Sequence, residues 1–130
     1  MLAPELLRDL HVDAHAHPRG QAHLSSASAL VIAEGHLCFV ADDEHHLGVL
    51  ALAADPGSAV RLLRIAAGDL PAAAVARKRR KPDLEALVAF PAGVLARRSC
   101  LLALGSGSRP GRERGFLVEV GPGMTPGHVR

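Results

Sequence analysis

The sequence contains no tryptophan or tyrosine and only three phenylalanines. Proteins that bind single-stranded nucleic acids stack the bases on aromatic side chains, and this chain lacks nearly all of them. The basic run ARKRRK, residues 76–81, is local, because the formal net charge of the whole chain is only +2. We therefore interpret this run as a solvated surface and expect no nucleic-acid partner.

Cysteines and long apolar runs are also scarce. The two cysteines, Cys38 and Cys100, lie in apolar segments without a CxxC partner, which is typical of buried, reduced thiols rather than of a disulfide framework or a zinc site. No apolar run approaches the roughly 20 residues that span a bilayer. Charged residues interrupt the N-terminal MLAPELLRDL, where a signal peptide would be apolar. The sequence predicts a cytoplasmic protein without a membrane partner.

Short apolar runs separated by turn signals occupy most of the remaining sequence. SALVIAEGHLCFVADD predicts a hairpin with its turn at Glu34 and Gly35, and ADPGS separates the two runs HLGVLALA and AVRLLRIAA. PAAAVARKRRK has the composition of a helix that Pro82 ends, after which strands return as LEALVAF, CLLALGS and GFLVEV. Because strands and helices do not alternate, we predict an all-β fold with one short helix near residues 71–81.

A faint internal repeat links the two halves of the chain. Ala-Leu-Val opens a group of short strands at residues 29–31 and again at residues 86–88, and tandem four-stranded antiparallel meanders are typical of β-propeller blades. We predict an N-terminal lead-in at residues 1–23 and a flexible tail at residues 121–130. Between them we predict a partial propeller of two blades, residues 24–70 and 82–120. Since propellers typically have about four to eight blades, we expect a fragment, a truncated product or a subunit, whose partners are the missing blades or a second copy of the chain.

The segments SASAL, ADDE, KPDLEAL and LALGSGSRPGRERG, in this order, resemble the N-terminal part of an uncharacterised bacterial family of six-bladed β-propellers. That family is distantly similar to esterase-like phytase and calcium-dependent lactonase propellers, and the resemblance extends roughly from Leu24 to Val120. In the lactonase-type propellers, the glutamate of an Asp-x-Glu motif points into the central channel and binds a divalent cation. Glu85 matches that position. The resemblance thus implies a site for a divalent cation, such as calcium, in the full-length protein.

Candidate ligands also follow from the residue types. Asp83 and Glu85 point to the same side of a strand beginning, because side chains alternate along a strand, and their oxygens suit Ca²⁺. Alternatively, Asp83 caps the preceding turn and Glu85 pairs with Lys81 or an arginine. Further acids and hydroxyls lie at two other strand ends, where the acids also fit a solvated loop: Asp42, Asp43, Glu44, Ser106 and Ser108.

The motif VDAHAHP holds Asp13, His15 and His17 in the order found in metal-dependent hydrolases of the amidohydrolase type. That fold is a parallel (β/α)₈ barrel of about 250 residues, and neither the length nor the strand pattern of this chain fits it. We therefore reject this metal site and assign both histidines to the lead-in. Their replacement is then expected to leave folding unchanged, as for surface residues.

Two classes of function follow from these patterns. In the first, the chain belongs to a propeller protein of unassigned biochemical function that serves as a ligand-binding or recognition module, with a small molecule bound by its loops. In the second, Glu85 helps to hold a divalent cation in a hydrolase of lactones or phosphoesters. An amidohydrolase fragment is a minor alternative. The sequence identifies no catalytic residue, and we favour the binding module.

Overall fold

The computed structural model describes residues 1–130 as two four-stranded antiparallel sheets. Sheet 1 consists of β1 (Ala27–Ala33), β2 (His36–Ala41), β3 (His46–Ala51) and β4 (Arg61–Arg64). Sheet 2 consists of β5 (Leu84–Phe90), β6 (Cys100–Gly105), β7 (Gly115–Val120) and β8 (Pro126–Val129). Strands that follow one another in sequence are neighbours in each sheet, so each sheet is a meander. The predicted all-β fold of two four-stranded units is confirmed.

The single α-helix, α1 (Ala74–Arg80), connects the two sheets and lies within the predicted range 71–81. Its alanines and long basic side chains favour helix, and Pro82 follows it, where continuation would lose a backbone hydrogen bond. No helix of the molecule has the length and apolar character that crossing a bilayer requires.

Residues 121–130, predicted to be a flexible tail, complete sheet 2. Gly123 has a φ of +64°, and the backbone N–H of Met124 donates to the carbonyl of Gly121 (3.1 Å). Gly121, Pro122 and Gly123 thus form a tight turn. Met124 is fully buried, and the chain returns along β7 as β8. The structure therefore replaces the predicted flexible tail with a paired strand.

The lead-in at residues 1–23 packs on sheet 1. Val12 is buried against Phe39, Leu50 and Val60, and its backbone forms a single parallel bridge with Val60. The guanidinium of Arg8 donates to three carbonyls of the loop between β3 and β4. Apolar and polar contacts together attach this segment to β2, β3 and the loop between β3 and β4.

The internal repeat is visible in the backbone geometry. Ser26 and Asp83 immediately precede β1 and β5, and their φ angles are +59° and +56°. The carbonyls of these two residues accept hydrogen bonds from the backbone N–H groups of Asp42 (3.1 Å) and Ser106 (2.9 Å). A register shift follows at the matching position of each sheet. The two sheets therefore correspond residue by residue along their first two strands.

The two sheets pack face to face around one apolar core. Its buried side chains come from both sheets and include Cys38, Val40, Leu47, Val49, Leu63, Leu87, Leu101, Ala103 and Val118. Cys38 and Cys100 are free and buried, as predicted, and burial raises the pKa of Cys38 to about 11. The core therefore belongs to neither sheet alone.

Corresponding residues lie on opposite sides of this contact between the sheets. Val31 packs into the shared core, whereas its counterpart Val88 lies on the far side of sheet 2 and is 41% exposed. Conversely, Leu87 is buried in the core, whereas its counterpart Leu30 is 65% exposed. The front of one sheet thus lies on the back of the next, which is compatible with successive propeller blades.

Candidate functional site

Polar side chains from both sheets converge where β2 and β6 end and β5 begins. Strand alternation and the repeat bring these positions to one edge of the molecule. We call this group the strand-end cluster, and its members are Asp42, Asp43, Lys81, Asp83, Glu85, Ser106, Ser108 and Arg112. Apart from Glu44, the carboxylates and hydroxyls singled out at these strand ends in the sequence lie together, and the cations Lys81 and Arg112 join them.

The ammonium group of Lys81 lies among three carboxylates. Its Nζ atom is 2.9 Å from Asp43 Oδ1, 2.9 Å from Asp83 Oδ1 and 3.8 Å from Asp42 Oδ2. Burial acts to lower the pKa of Lys81, but the hydrogen bonds to Asp83 and Asp43 outweigh it, so this pKa lies above its ordinary value. Lys81 therefore keeps its charge and links the acids after β2 to the beginning of β5.

Asp83 is the most enclosed acid of the cluster, with its side chain 10% exposed. Its Oδ2 atom accepts hydrogen bonds from Ser106 Oγ (2.6 Å) and Arg112 Nη1 (2.8 Å), while Oδ1 pairs with Lys81. Burial acts to raise the pKa of Asp83, but these hydrogen bonds and positive charges outweigh it and hold the pKa below its ordinary value. Both oxygens of this carboxylate are thus engaged by protein groups.

Glu85 lies further along β5 and is exposed. One oxygen each from Asp42, Asp83 and Glu85 lie within 4.8 Å of one another, a spacing that suits a cation with several oxygen ligands. Lys81 and Arg112 bind Asp83 rather than Glu85. Glu85 therefore presents its carboxylate to solvent at the rim of the cluster.

The basic run of residues 76–81 contributes to this site. Arg77 Nε is 3.3 Å from Asp43 Oδ2, and Lys81 bridges the acids, so these two side chains are not part of a solvated surface. Lys78, Arg79 and Arg80 are exposed, as that interpretation predicted. Sequence reasoning missed Arg112 altogether. The available signal was charge complementarity, because the acids after β2 and the basic residues before β5 reach the same edge.

The two histidines of the VDAHAHP motif have different environments. His15 is exposed, whereas His17 is 4% exposed. The backbone N–H of Arg19 donates to His17 Nδ1 (3.1 Å), which places the ring proton on Nε2, 3.2 Å from both oxygens of Glu44. Neither histidine belongs to a group of three or more candidate metal ligands. The expectation that His17 behaves as a surface residue is wrong, because it binds the lead-in to sheet 1.

Glu44, which fitted a solvated loop in the sequence, is 1% exposed. Besides His17, it accepts hydrogen bonds from the Arg19 guanidinium (2.8 Å) and the backbone N–H of Ser25 (3.4 Å). A buried carboxylate with this many donors has a structural role. It lies outside the strand-end cluster and leaves that cluster as the candidate functional site.

Comparison with known proteins identifies a family. No significant match was found among curated proteins or among solved structures. Residues 23–129, which include both sheets, match a family of unknown function (DUF6929). This match covers most of the chain, and the protein belongs to this family of unknown function.

Proposed function

We propose that the chain supplies two blades of a β-propeller and acts as a ligand-binding or recognition module, with the strand-end cluster as its binding site. One observation supports this above all: polar side chains from both sheets meet at one edge and hold one another through hydrogen bonds and ion pairs. Few, convergent and prepositioned polar groups are typical of small-molecule sites. The stacked sheets and the repeat support the blade arrangement.

The charge balance of the cluster favours recognition over metal-dependent catalysis. A divalent cation among Asp42, Asp43 and Asp83 would compete with the ammonium of Lys81 for the same oxygens. Displacing that ammonium would also break its 2.9 Å ion pairs with Asp43 and Asp83 and leave a largely enclosed positive charge beside the incoming cation, and like charges at short range repel. Hydrogen bonding to a ligand requires no such displacement.

The groups at the rim of the cluster indicate the chemistry of the ligand. Glu85 offers carboxylate oxygens to solvent, and the hydroxyl of Ser108 is exposed. Ligand hydroxyls donate to a carboxylate and also accept from serine and arginine. We therefore infer a small polar ligand with several hydroxyl groups.

Amide NMR titration with myo-inositol, an uncharged polyol probe, tests this function. We expect shifts concentrated at residues 42–43, 83–86 and 106–108, and their loss in Glu85→Ala. Glu5→Ala, a matched change in the exposed lead-in, is expected to keep them. Shifts that are absent, spread over the whole chain or indifferent to Glu85→Ala would contradict the proposal.

A divalent-metal-dependent hydrolase of lactones or phosphoesters is the second candidate, favoured by the oxygens of Asp42, Asp83 and Glu85 that lie within 4.8 Å of one another. A cation held there would polarise the substrate and activate water. Thermal melts of the wild type and Glu85→Gln with and without calcium chloride test it. A calcium-dependent rise in Tm that Glu85→Gln abolishes supports the metal site, since binding to the folded state alone is stabilising. Equal shifts in both proteins, or none, count against it.

A further inference from the structure

Each sheet leaves one apolar face open. The open face of sheet 1 carries Leu30, Ile32 and Leu37, and that of sheet 2 carries Val88, Phe90, Leu102, Leu104 and Leu117. Leu30 and Ile32 are 65% and 64% exposed, and Val88 and Leu104 are 41% and 39% exposed. Contiguous apolar side chains at such exposure indicate an interaction surface.

The repeat identifies what each open face fits. Within one chain, the face of sheet 1 that carries Val31 and Cys38 packs on the face of sheet 2 that carries Leu87 and Leu101. Val88 and Leu102, the counterparts of Val31 and Cys38, lie on the open face of sheet 2. Leu30 and Leu37, the counterparts of Leu87 and Leu101, lie on the open face of sheet 1. The two open faces are thus the two halves of a contact that the molecule already makes once.

We propose that the open face of sheet 2 binds the open face of sheet 1 on a second copy of this chain, repeating the internal contact between the sheets. This proposal rests on the blade arrangement proposed above and not on a ligand at the strand-end cluster, so the NMR titration and the association test fail independently. The two surfaces differ, so the contact is heterologous and joins copies head to tail.

The lead-in leaves room for this contact. Val12 and Leu24 pack on Phe39 of β2, Leu50 of β3 and Leu62 of β4. Leu30 and Ile32 on the edge strand β1 are exposed. Inside one chain, the sheets touch mainly through β1, β2 and β5. The uncovered part of sheet 1 is therefore the part that such a contact uses.

Head-to-tail contacts close into a ring when the rotation between copies permits it and otherwise extend into a chain. Rings of about four to eight blades are typical of propellers, which corresponds to about two to four copies with two blades each. Either outcome gives a particle heavier than one chain.

Complementary single substitutions test the proposal. Ile32→Glu places a charge on the open face of sheet 1, and Val88→Glu places one on the open face of sheet 2. Val75→Glu is the matched control, because Val75 is 72% exposed on α1 and lies on neither open face. Molar mass is measured by size-exclusion chromatography with light scattering, and circular dichroism checks that each variant is folded.

We expect the wild type and Val75→Glu to associate, and Ile32→Glu and Val88→Glu to be monomers when alone. An equimolar mixture of these two monomers should form a dimer, because each retains the face that the other has lost. A monomeric wild type, a mixture that stays monomeric, or association that only one of the two substitutions abolishes would overturn the head-to-tail contact. Should either variant fail to fold, Leu30→Glu and Leu104→Glu place the charge on the same two faces.

Discussion

The buried carboxylate of Glu44 organises the junction between the lead-in and sheet 1 at the scale of single residues. Replacing His17 by alanine removes one donor from this carboxylate, and we expect a loss of about 1–3 kcal/mol in the free energy of unfolding. His15→Ala, a matched change at an exposed position, is expected to cost less than about 0.5 kcal/mol. Urea unfolding measures both. Equal losses, or a stoichiometric zinc ion bound through both histidines, would contradict this assignment.

His46 makes the stability of the fold depend on pH. Its Nδ1 atom is buried without a hydrogen-bond partner. Burial, reinforced by Arg64 and His17, lowers the pKa of His46 to about 4 despite the opposing charges of Glu44 and Asp69. The unfolded chain takes up this proton near pH 6.5. The contribution of neutral His46 to the free energy of unfolding is therefore fully present above about pH 6.5. It declines by up to about 3 kcal/mol as the pH falls from there to about 4, the pKa in the folded state.

Substitution of the histidine isolates its share of this decline. His46→Leu is expected to flatten the dependence of unfolding free energy on pH in this range, whereas His128→Leu, at an exposed position, should leave it in place. Urea midpoints measured at intervals from about pH 7 to about pH 4 provide the comparison. A profile with the same slope in His46→Leu and the wild type would show that another group titrates.

Strand alternation and the repeat suffice to place Asp42, Asp83, Glu85 and Ser106 at neighbouring strand ends. The same reasoning cannot place Lys81, because its position depends on how the helix and the loop after it approach the end of β2. The burial of His17 could not be predicted from the sequence for a similar reason. Burial of a polar residue in a segment outside the repeat depends on a partner far along the chain.

At the scale of elements, the turn residues are the part of the sequence from which strand boundaries are best predicted. Glu34 and Gly35, predicted as the turn of the first hairpin, have φ angles of +48° and +71°. Two successive positive φ angles are typical of the type I′ turn that joins twisted strands. β8 was missed because Pro126 and Gly127 within it give it the composition of a loop, and only pairing with β7 makes it a strand.

Strand β3 depends on the absence of a side chain at Gly48, over which the ring of Phe39 lies. A Cβ atom at Gly48 would overlap three ring atoms, and Val12, Leu50 and Val60 enclose that ring. We expect Gly48→Ala to cost about 1–3 kcal/mol of unfolding free energy. Gly57→Ala, where a Cβ meets nothing within 4 Å, is expected to change it by less than about 0.5 kcal/mol. Indistinguishable denaturation midpoints for the two variants would rule out this packing.

At the scale of the whole molecule, the orientation of the two sheets determines which face of each sheet is buried in the shared core and which is open. In β1, Leu30 and Val31 are both apolar although they lie on opposite faces, and β5 repeats this pattern. The sequence therefore predicts two stacked meanders but cannot tell which face of each is inside. That choice requires the complementary shapes of both sheets together.

Native-state amide hydrogen exchange on Leu47→Ala tests most directly whether the two sheets form one unit around a shared core. Leu47 lies in sheet 1, fully buried in a cluster that includes Leu101 and Val118 of sheet 2. Truncation is expected to lower the free energy of exchange of the slowest amides by about 2–5 kcal/mol. The loss should be the same for the slowest amides of β2 in sheet 1 and of β6 in sheet 2, because the two sheets open together. A loss confined to sheet 1, with the amides of β6 unchanged, would contradict the shared core on which both the strand-end cluster and the head-to-tail contact depend.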